Sequence, residues 1–143
     1  MSKRLHRLTT TGGSDERKAR SMIAPLLRFE LAEEAARLRA EAEYLDGDRN
    51  AKTLVKAGAF RLVLVAFRIG ATFDENDQRG SVALQVLEGR MALRVGEEAI
   101  EIAAGEVAVV SPDQPWTADG LGDGLVLIQL SWPPVPGSVG PAI

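Results

Sequence analysis

Short apolar runs separated by glycine-containing turns recur from about residue 50 onward. The clearest run is Ser81–Glu88, whose residues alternate with the period of two that is typical of a β-strand. It follows a polar segment, Asp74–Arg79, that we expect to be a loop. It ends at residues 88–90, where Gly89 allows the positive φ of a hairpin turn. Strands that return about every 8–12 residues predict an antiparallel sandwich or barrel.

The remaining strands are predicted from similar runs. They span residues 51–56, 60–68, 91–95, 98–103, 106–110, 116–119 and 125–132. Two of them, Phe60–Arg68 and Leu125–Trp132, are apolar on both parities, so we expect both of their faces to be buried. The barrel interior would cover one face. Either a helix of the same chain or a second subunit would cover the other.

Residues 30–44 have the pattern of an amphipathic helix. Apolar residues recur there in steps of four and three and fall on one helix face: Leu31, Ala35, Leu38, Ala42 and Leu45. Gly47 follows the last turn, where a helix C-terminus is typical. We predict one helix that covers a face of the barrel, since two heptads are too few for an independent coiled coil. A helix at a subunit boundary is the alternative.

The chain has 143 residues, which is typical of one domain with its own core. We divide it into a basic tail (1–22), a helical segment (23–48), a barrel (49–132) and a proline- and glycine-rich tail (133–143). Residues 1–20 carry six Lys or Arg and two acidic residues, so they contribute +4 to a net charge of −3. Such a tail can contact nucleic acid or an anionic membrane. The other 123 residues carry −7, so we favour a solvated tail and expect neither partner.

Composition excludes several kinds of chemistry. The chain has no cysteine, which rules out a disulfide, a thiolate metal site and a cysteine nucleophile. Its one histidine, His6, lies in the basic tail, so a histidine mechanism in the barrel would need that tail or another subunit. The longest apolar run, Leu62–Phe67, is too short to span a membrane. We find no pattern of a secretory signal and expect a cytoplasmic protein.

Two segments of the chain resemble the motifs of the cupin superfamily. The first motif reads glycine, five residues, His-x-His, three or four residues, glutamate, six residues and glycine. At those spacings this chain has Gly70, Asn76, Gln78, Val82 and Gly89.

The second motif reads glycine, five residues, Pro-x-Gly, two residues and histidine. Here the corresponding residues are Gly105, Ser111, Asp113 and Trp116. The resemblance covers roughly residues 50–132. It implies an all-β protein, a cupin-like antiparallel jelly-roll β-barrel with an N-terminal covering helix.

In metal-dependent cupins, the two histidines, the glutamate and the later histidine bind one divalent metal. At those positions this chain has Asn76, Gln78, Val82 and Trp116. A valine has no lone pair, an indole N–H is only a donor, and neutral amide oxygens are poor ligands for transition metals. We therefore predict a cupin barrel without a metal or other cofactor.

The resemblance also implies that these four side chains point towards the barrel mouth, and we assign them as the candidate ligand-binding residues. Trp116 can plug the space that a metal and its substrate would use, and we place this interpretation first. The alternative is an apolar pocket in which the two amides and the indole orient a ligand. Acidic residues beside Asn76 can bind Ca²⁺ or Mg²⁺, but we favour solvated loop charge: Asp74, Glu75 and Asp77.

Three functional hypotheses follow. The first is a metal-free cupin that binds a small organic molecule or acts as a regulatory module without catalysis. The second is an oxygenase- or isomerase-type enzyme with an atypical Asn/Gln/Asp site at the mouth. The third is a structural partner in an obligate dimer. We favour the first, assign no catalytic residue, and predict a homodimer because this is how cupins commonly cover an apolar sheet face.

Overall fold

The computed structural model describes residues 24–75 and 80–131. Two helices and nine strands form within these residues. The helices are α1 (Leu31–Ala40) and α2 (Ala42–Leu45). The strands are β1 (Arg49–Ala57), β2 (Phe60–Phe67), β3 (Thr72–Glu75), β4 (Ser81–Glu88), β5 (Arg90–Val95), β6 (Glu98–Ala103), β7 (Val107–Val110), β8 (Trp116–Gly120) and β9 (Gly124–Ser131).

The strands form two antiparallel sheets that face each other. One sheet has the order β1-β2-β9-β4-β7, and the other has the order β3-β8-β5-β6. Strands that are neighbours in the chain often lie in different sheets, so the connections cross from one sheet to the other. This is the arrangement of a jelly-roll barrel, and it confirms the predicted fold class.

The inner faces of both sheets enclose the main core, which we call the inner core. In β4 the predicted alternation holds, since Val82, Leu84 and Val86 are buried while Gln85 is exposed. The largest buried side chain is Trp116 on β8. The barrel interior is therefore filled by side chains from both sheets.

One end of the barrel is closed by aromatic and cationic packing. The rings of Phe67 and Phe73 meet edge to face at 6.0 Å, and the guanidinium of Arg49 lies 4.5 Å from the centre of the Phe73 ring. Arg49 also donates a hydrogen bond of 2.7 Å to the carbonyl of Thr72. Because Phe67 pairs with Gly124 at the start of β9, this closed end is opposite the end at which β9 finishes.

The two helices cover the outer face of the five-stranded sheet. Ala35 and Leu38 of α1 are buried against an outer cluster that includes Leu64 of β2 and Leu125 of β9. This confirms the covering helix. It also explains the two strands that are apolar on both parities, because a helix of the same chain covers their second face. The homodimer stays a prediction.

The helical segment is not the single helix that the sequence predicts. Glu41 adopts an extended backbone (φ −90°, ψ 157°) between α1 and α2. The Nδ2 of Asn50 donates to the carbonyl of Leu38 (3.0 Å) and to the carboxylate of Glu41 (2.7 Å), so β1 holds this break in place. The break rotates the second helix, and Tyr44 is buried while Leu45 is 56% exposed.

Two local predictions are also wrong. Asp74 and Glu75, predicted as the start of a loop, belong to β3, because residues 72–75 pair with β8 and bury Phe73. The turn at Gly89 (φ 84°) does not close a hairpin, because β4 and β5 belong to different sheets. A Cβ at Gly89 would lie 2.6 Å from the carbonyl oxygen of Asp123, so the crossing is close to the turn before β9.

Several predictions concern residues outside the described ranges: the basic tail 1–22 with His6, and the tail 133–143. No helix within residues 24–75 and 80–131 is long and apolar enough to cross a membrane.

Candidate functional site

Val82 and Trp116 lie inside the barrel at one end, in opposite sheets. Val82 pairs with Val110 across β4 and β7, and Trp116 pairs with Val95 across β8 and β5. Both side chains belong to the inner core, with exposed fractions of 0% and 1%. The connection between β7 and β8, residues 111–115, lies at this end, which we call the barrel mouth.

The other two predicted site residues, Asn76 and Gln78, lie outside the described residues. The described part of β3 ends at Glu75, whose backbone pairs with that of Trp116. The chain therefore leaves β3 at the barrel mouth. The structure places Val82 and Trp116 in the same inner core at the barrel mouth. The position of the two amides stays a prediction.

A cleft of about 360 Å³ opens at the mouth where β6 and β7, the edge strands of the two sheets, face each other. We call it the mouth cleft. Six of its nine lining residues have apolar side chains, including Leu93, Val95, Ile100 and Val110. Its polar groups come from one strand end and one connection: Glu98, Ser111 and Gln114.

Strand pairing explains why these side chains meet. Leu93 lies opposite Ile100, and Val95 lies opposite Glu98, across β5 and β6. Residues directly opposite each other in an antiparallel pair share one face of the sheet. Val95 also lies opposite Trp116 across β5 and β8, so Trp116 lies beside Val95 on the same face of the sheet, next to the mouth cleft.

Comparison with known proteins yields no match to a family model and none to a curated protein sequence. Solved structures do match. A cupin superfamily protein from Desulfitobacterium hafniense has a TM-score of 0.63 at 17% identity, over 80% of this chain and 100% of that chain. Salicylate 1,2-dioxygenase from Pseudoaminobacter salicylatoxidans, solved with gentisate adducts, has a TM-score of 0.63 at 19% identity, over 78% of this chain and 35% of that one.

A third similar structure is the cupin domain of an XRE family transcriptional regulator from Enterobacter cloacae. Its TM-score is 0.55 at 13% identity, over 61% of this chain and 99% of that domain. This chain has the cupin fold. The confirmed resemblance is one of architecture, since all three identities are low.

Backbone angles support the alignment of the cupin motifs with this chain. The three motif positions that keep a glycine all have positive φ, with values of 88° at Gly70, 84° at Gly89 and 91° at Gly105. The fourth position, glycine in the family motif, is Asp113 here. It has a φ of 63° and is the one non-glycine residue with positive φ in the described part of the chain. Aspartate tolerates this conformation better than most residues.

Two of the four motif positions, Val82 and Trp116, cannot supply a ligand to a metal at the position that metal-dependent cupins use. Val82 offers hydrocarbon only, and Trp116 offers a ring whose nitrogen carries a hydrogen and donates. Both side chains are packed into the inner core. No group of three or more His, Asp or Glu side chains in the described ranges is placed to hold a metal ion.

Trp116 has an unused hydrogen-bond donor. Its Nε1 and the Oγ1 of Thr53 are the two buried side-chain polar atoms of the described residues that have no hydrogen-bond partner. A buried donor without a partner costs about 1–3 kcal/mol. Trp116 therefore fills volume in the inner core while its donor has no partner among the described residues, and the plug stays a prediction.

The mouth cleft was not found from the sequence. Its lining residues look like ordinary strand residues, and their role depends on β6 and β7 lying at the two open edges. One weak signal exists, since Glu98 and Ile100 share the parity of the buried Ile102 and yet one of them is charged. Strand order, and not local pattern, decides where the cleft forms.

Proposed function

We propose that this cupin binds a small organic molecule in the mouth cleft and acts as a binding or regulatory module without catalysis. The observation that carries this proposal is the cleft itself. Its volume of about 360 Å³ falls within the range of roughly 300–1,000 Å³ that is usual for small-molecule sites. Its lining combines six apolar side chains with three polar ones.

The lining indicates what kind of molecule fits. Leu93, Val95 and Val110 offer an apolar surface for a compact hydrocarbon or aromatic body. Ser111 and Gln114 offer hydroxyl and amide groups, which both donate and accept hydrogen bonds. A ligand with an apolar body and one or two polar substituents at the solvent end satisfies both halves of the cleft.

The non-catalytic part of the proposal rests on the side chains at the mouth. Val82 and Trp116 supply neither a general base nor a nucleophile. The one carboxylate of the cleft lining, Glu98, has no histidine, lysine or second carboxylate beside it in that lining. The cupin domain of the Enterobacter cloacae regulator shows that the same fold occurs in a transcriptional regulator. The atypical Asn76 and Gln78 site remains the basis of the alternative, enzymatic hypothesis.

Fragment screening by NMR tests the binding site. Fragments with an apolar body are expected to shift the backbone amide signals of Val95, Ser111 and Gln114. Ile100→Trp places an indole in the cleft from a residue that is 50% exposed, so it is expected to weaken binding at least about tenfold, or 1.4 kcal/mol. Ile69→Trp is the matched control, since Ile69 is 69% exposed and lies outside the cleft.

Equal affinities for the Ile100→Trp and Ile69→Trp variants would contradict the proposed site. So would shifted signals that cluster away from the barrel mouth. Both substitutions are at exposed positions, so neither variant is expected to lose its fold.

A further inference from the structure

The two edge strands of the barrel form an open seam. β6 ends the four-stranded sheet and β7 ends the five-stranded sheet, and the turn at Gly105 joins them. We call the facing edges, residues 98–103 and 107–110, the edge seam. A shallow groove of about 640 Å³ runs along it and shares Ile100 and Val109 with the mouth cleft.

Large apolar side chains are exposed along the edge seam. Ile100 is 50% exposed, Val107 is 57% exposed and Val109 is 70% exposed. On β7 the apolar residues occupy both faces, because Val107 and Val109 point outward while Val110 is buried and points inward. A strand added beside β7 would therefore meet apolar side chains on both of its faces.

The edge seam is also acidic. Glu98 lines the mouth cleft, and Glu101 and Glu106 line the groove. Glu101 pairs with Arg90 at 2.9 Å, but both side chains are more than half exposed, so water screens this pair. A strand edge with apolar side chains and acidic flanks favours an extended segment that carries basic and apolar residues.

We propose that the edge seam binds the chain's own residues 3–11 by strand addition to β7. This segment, KRLHRLTTT, carries three cations and no acidic residue, which complements the acidic flanks: Lys3, Arg4 and Arg7. Leu5 and Leu8 have opposite parity, so they serve both apolar faces of an added strand. Three successive threonines follow, and threonine is a good strand former.

The length of the chain before α1 permits this contact. Residues 12–23 alone can span about 40 Å when extended, at roughly 3.3–3.6 Å per residue. The covering helices contact β1 and β2, at the opposite edge of the sheet from β7. Four inter-strand spacings of about 4.8 Å separate β1 from β7, or roughly 19 Å, well within that reach.

The contact does not depend on the proposed function, since it can form whether or not the cleft binds a ligand.

Cysteine cross-linking tests this contact cleanly, because the 143 residues of the chain include no cysteine. The test variant is Thr9→Cys with Val109→Cys, and the matched control is Thr9→Cys with Ile69→Cys. Val109 and Ile69 are 70% and 69% exposed, so their reactivities are comparable. Under mild oxidation the test pair is expected to form an intramolecular disulfide about tenfold faster than the control pair, since docking raises the effective concentration of the two thiols.

Charge reversal and salt provide the second readout. The advantage of the test pair is expected to disappear at about 1 M salt, where the Debye length is about 3 Å. It is also expected to disappear when Glu98, Glu101 and Glu106 are replaced by lysine. Equal rates for the test and control pairs at low salt would overturn the proposal. A disulfide formed mainly between two molecules would also overturn it and assign the edge seam to a second copy of the chain.

Discussion

Replacing Trp116 with alanine is expected to lower the free energy of unfolding by about 3–5 kcal/mol, which is the usual range for a buried tryptophan. The side chain is 1% exposed and contributes the largest buried volume in the barrel. Its removal leaves a cavity between the two sheets that the strands on either side cannot fill. Urea denaturation followed by circular dichroism measures this loss without relying on tryptophan fluorescence.

Trp116→Phe is the matched variant, because it keeps an aromatic ring and removes the unpartnered Nε1 donor. Removing the unpartnered donor removes its desolvation cost, which offsets part of the packing energy that is lost. This variant is therefore expected to lower the free energy of unfolding by less than about 2 kcal/mol. A loss below about 1 kcal/mol for Trp116→Ala would contradict the plug, because the indole would then face an open space. That outcome would favour the alternative pocket in which Trp116 contacts a ligand directly.

Gly124→Ala is expected to lower the free energy of unfolding by about 3 kcal/mol, at the upper end of the usual loss from overpacking. A Cβ at this position would lie 2.4 Å from the carbonyl oxygen of Glu88 and 2.4 Å from the ring of Phe67. Neither group can move easily, since one is backbone and the other is a fully buried ring at the closed end. Thermal unfolding of the variant measures the loss.

Gly122→Ala controls for the loss of a glycine in the same turn. A Cβ at Gly122 meets no atom within 4 Å, and its φ is not in the left-handed region. This variant is expected to stay within about 0.5 kcal/mol of the wild type. Equal losses for the two variants would show that the closed end is not packed as tightly as the structure describes.

Much of the fold follows from local pattern. Alternation in Ser81–Glu88 predicts a strand and its buried face correctly, because the pleat of a strand places successive side chains on opposite faces. The missed strand β3 is short and carries acidic residues, and it forms because β8 is available to pair with it. The break at Glu41 is likewise tertiary, since the side chain of Asn50 on β1 holds it. The sequence next to β3 or to Glu41 does not show that β8 or Asn50 will pair with it.

The candidate site could likewise be predicted only in part from the sequence. The cupin spacing places Val82 and Trp116 at positions where the structure shows two side chains unsuited to a metal. The sequence also attributes the second face of β2 and β9 to either a helix or a partner, and the structure selects the helix. The mouth cleft and the edge seam depend on which strands end each sheet. That order is set by long-range pairing, such as β4 with β7 and β9.

Native mass spectrometry of protein purified without chelators and without a metal-affinity column tests the central claim most directly. The account predicts a chain that carries no divalent metal, either bare or with a small organic molecule that is lost when the mouth cleft is filled by Ile100→Trp. A mass excess of one divalent metal per chain would contradict it. Residues 74–78, with Asn76 and Gln78, would then become the site to examine as an enzyme's metal centre.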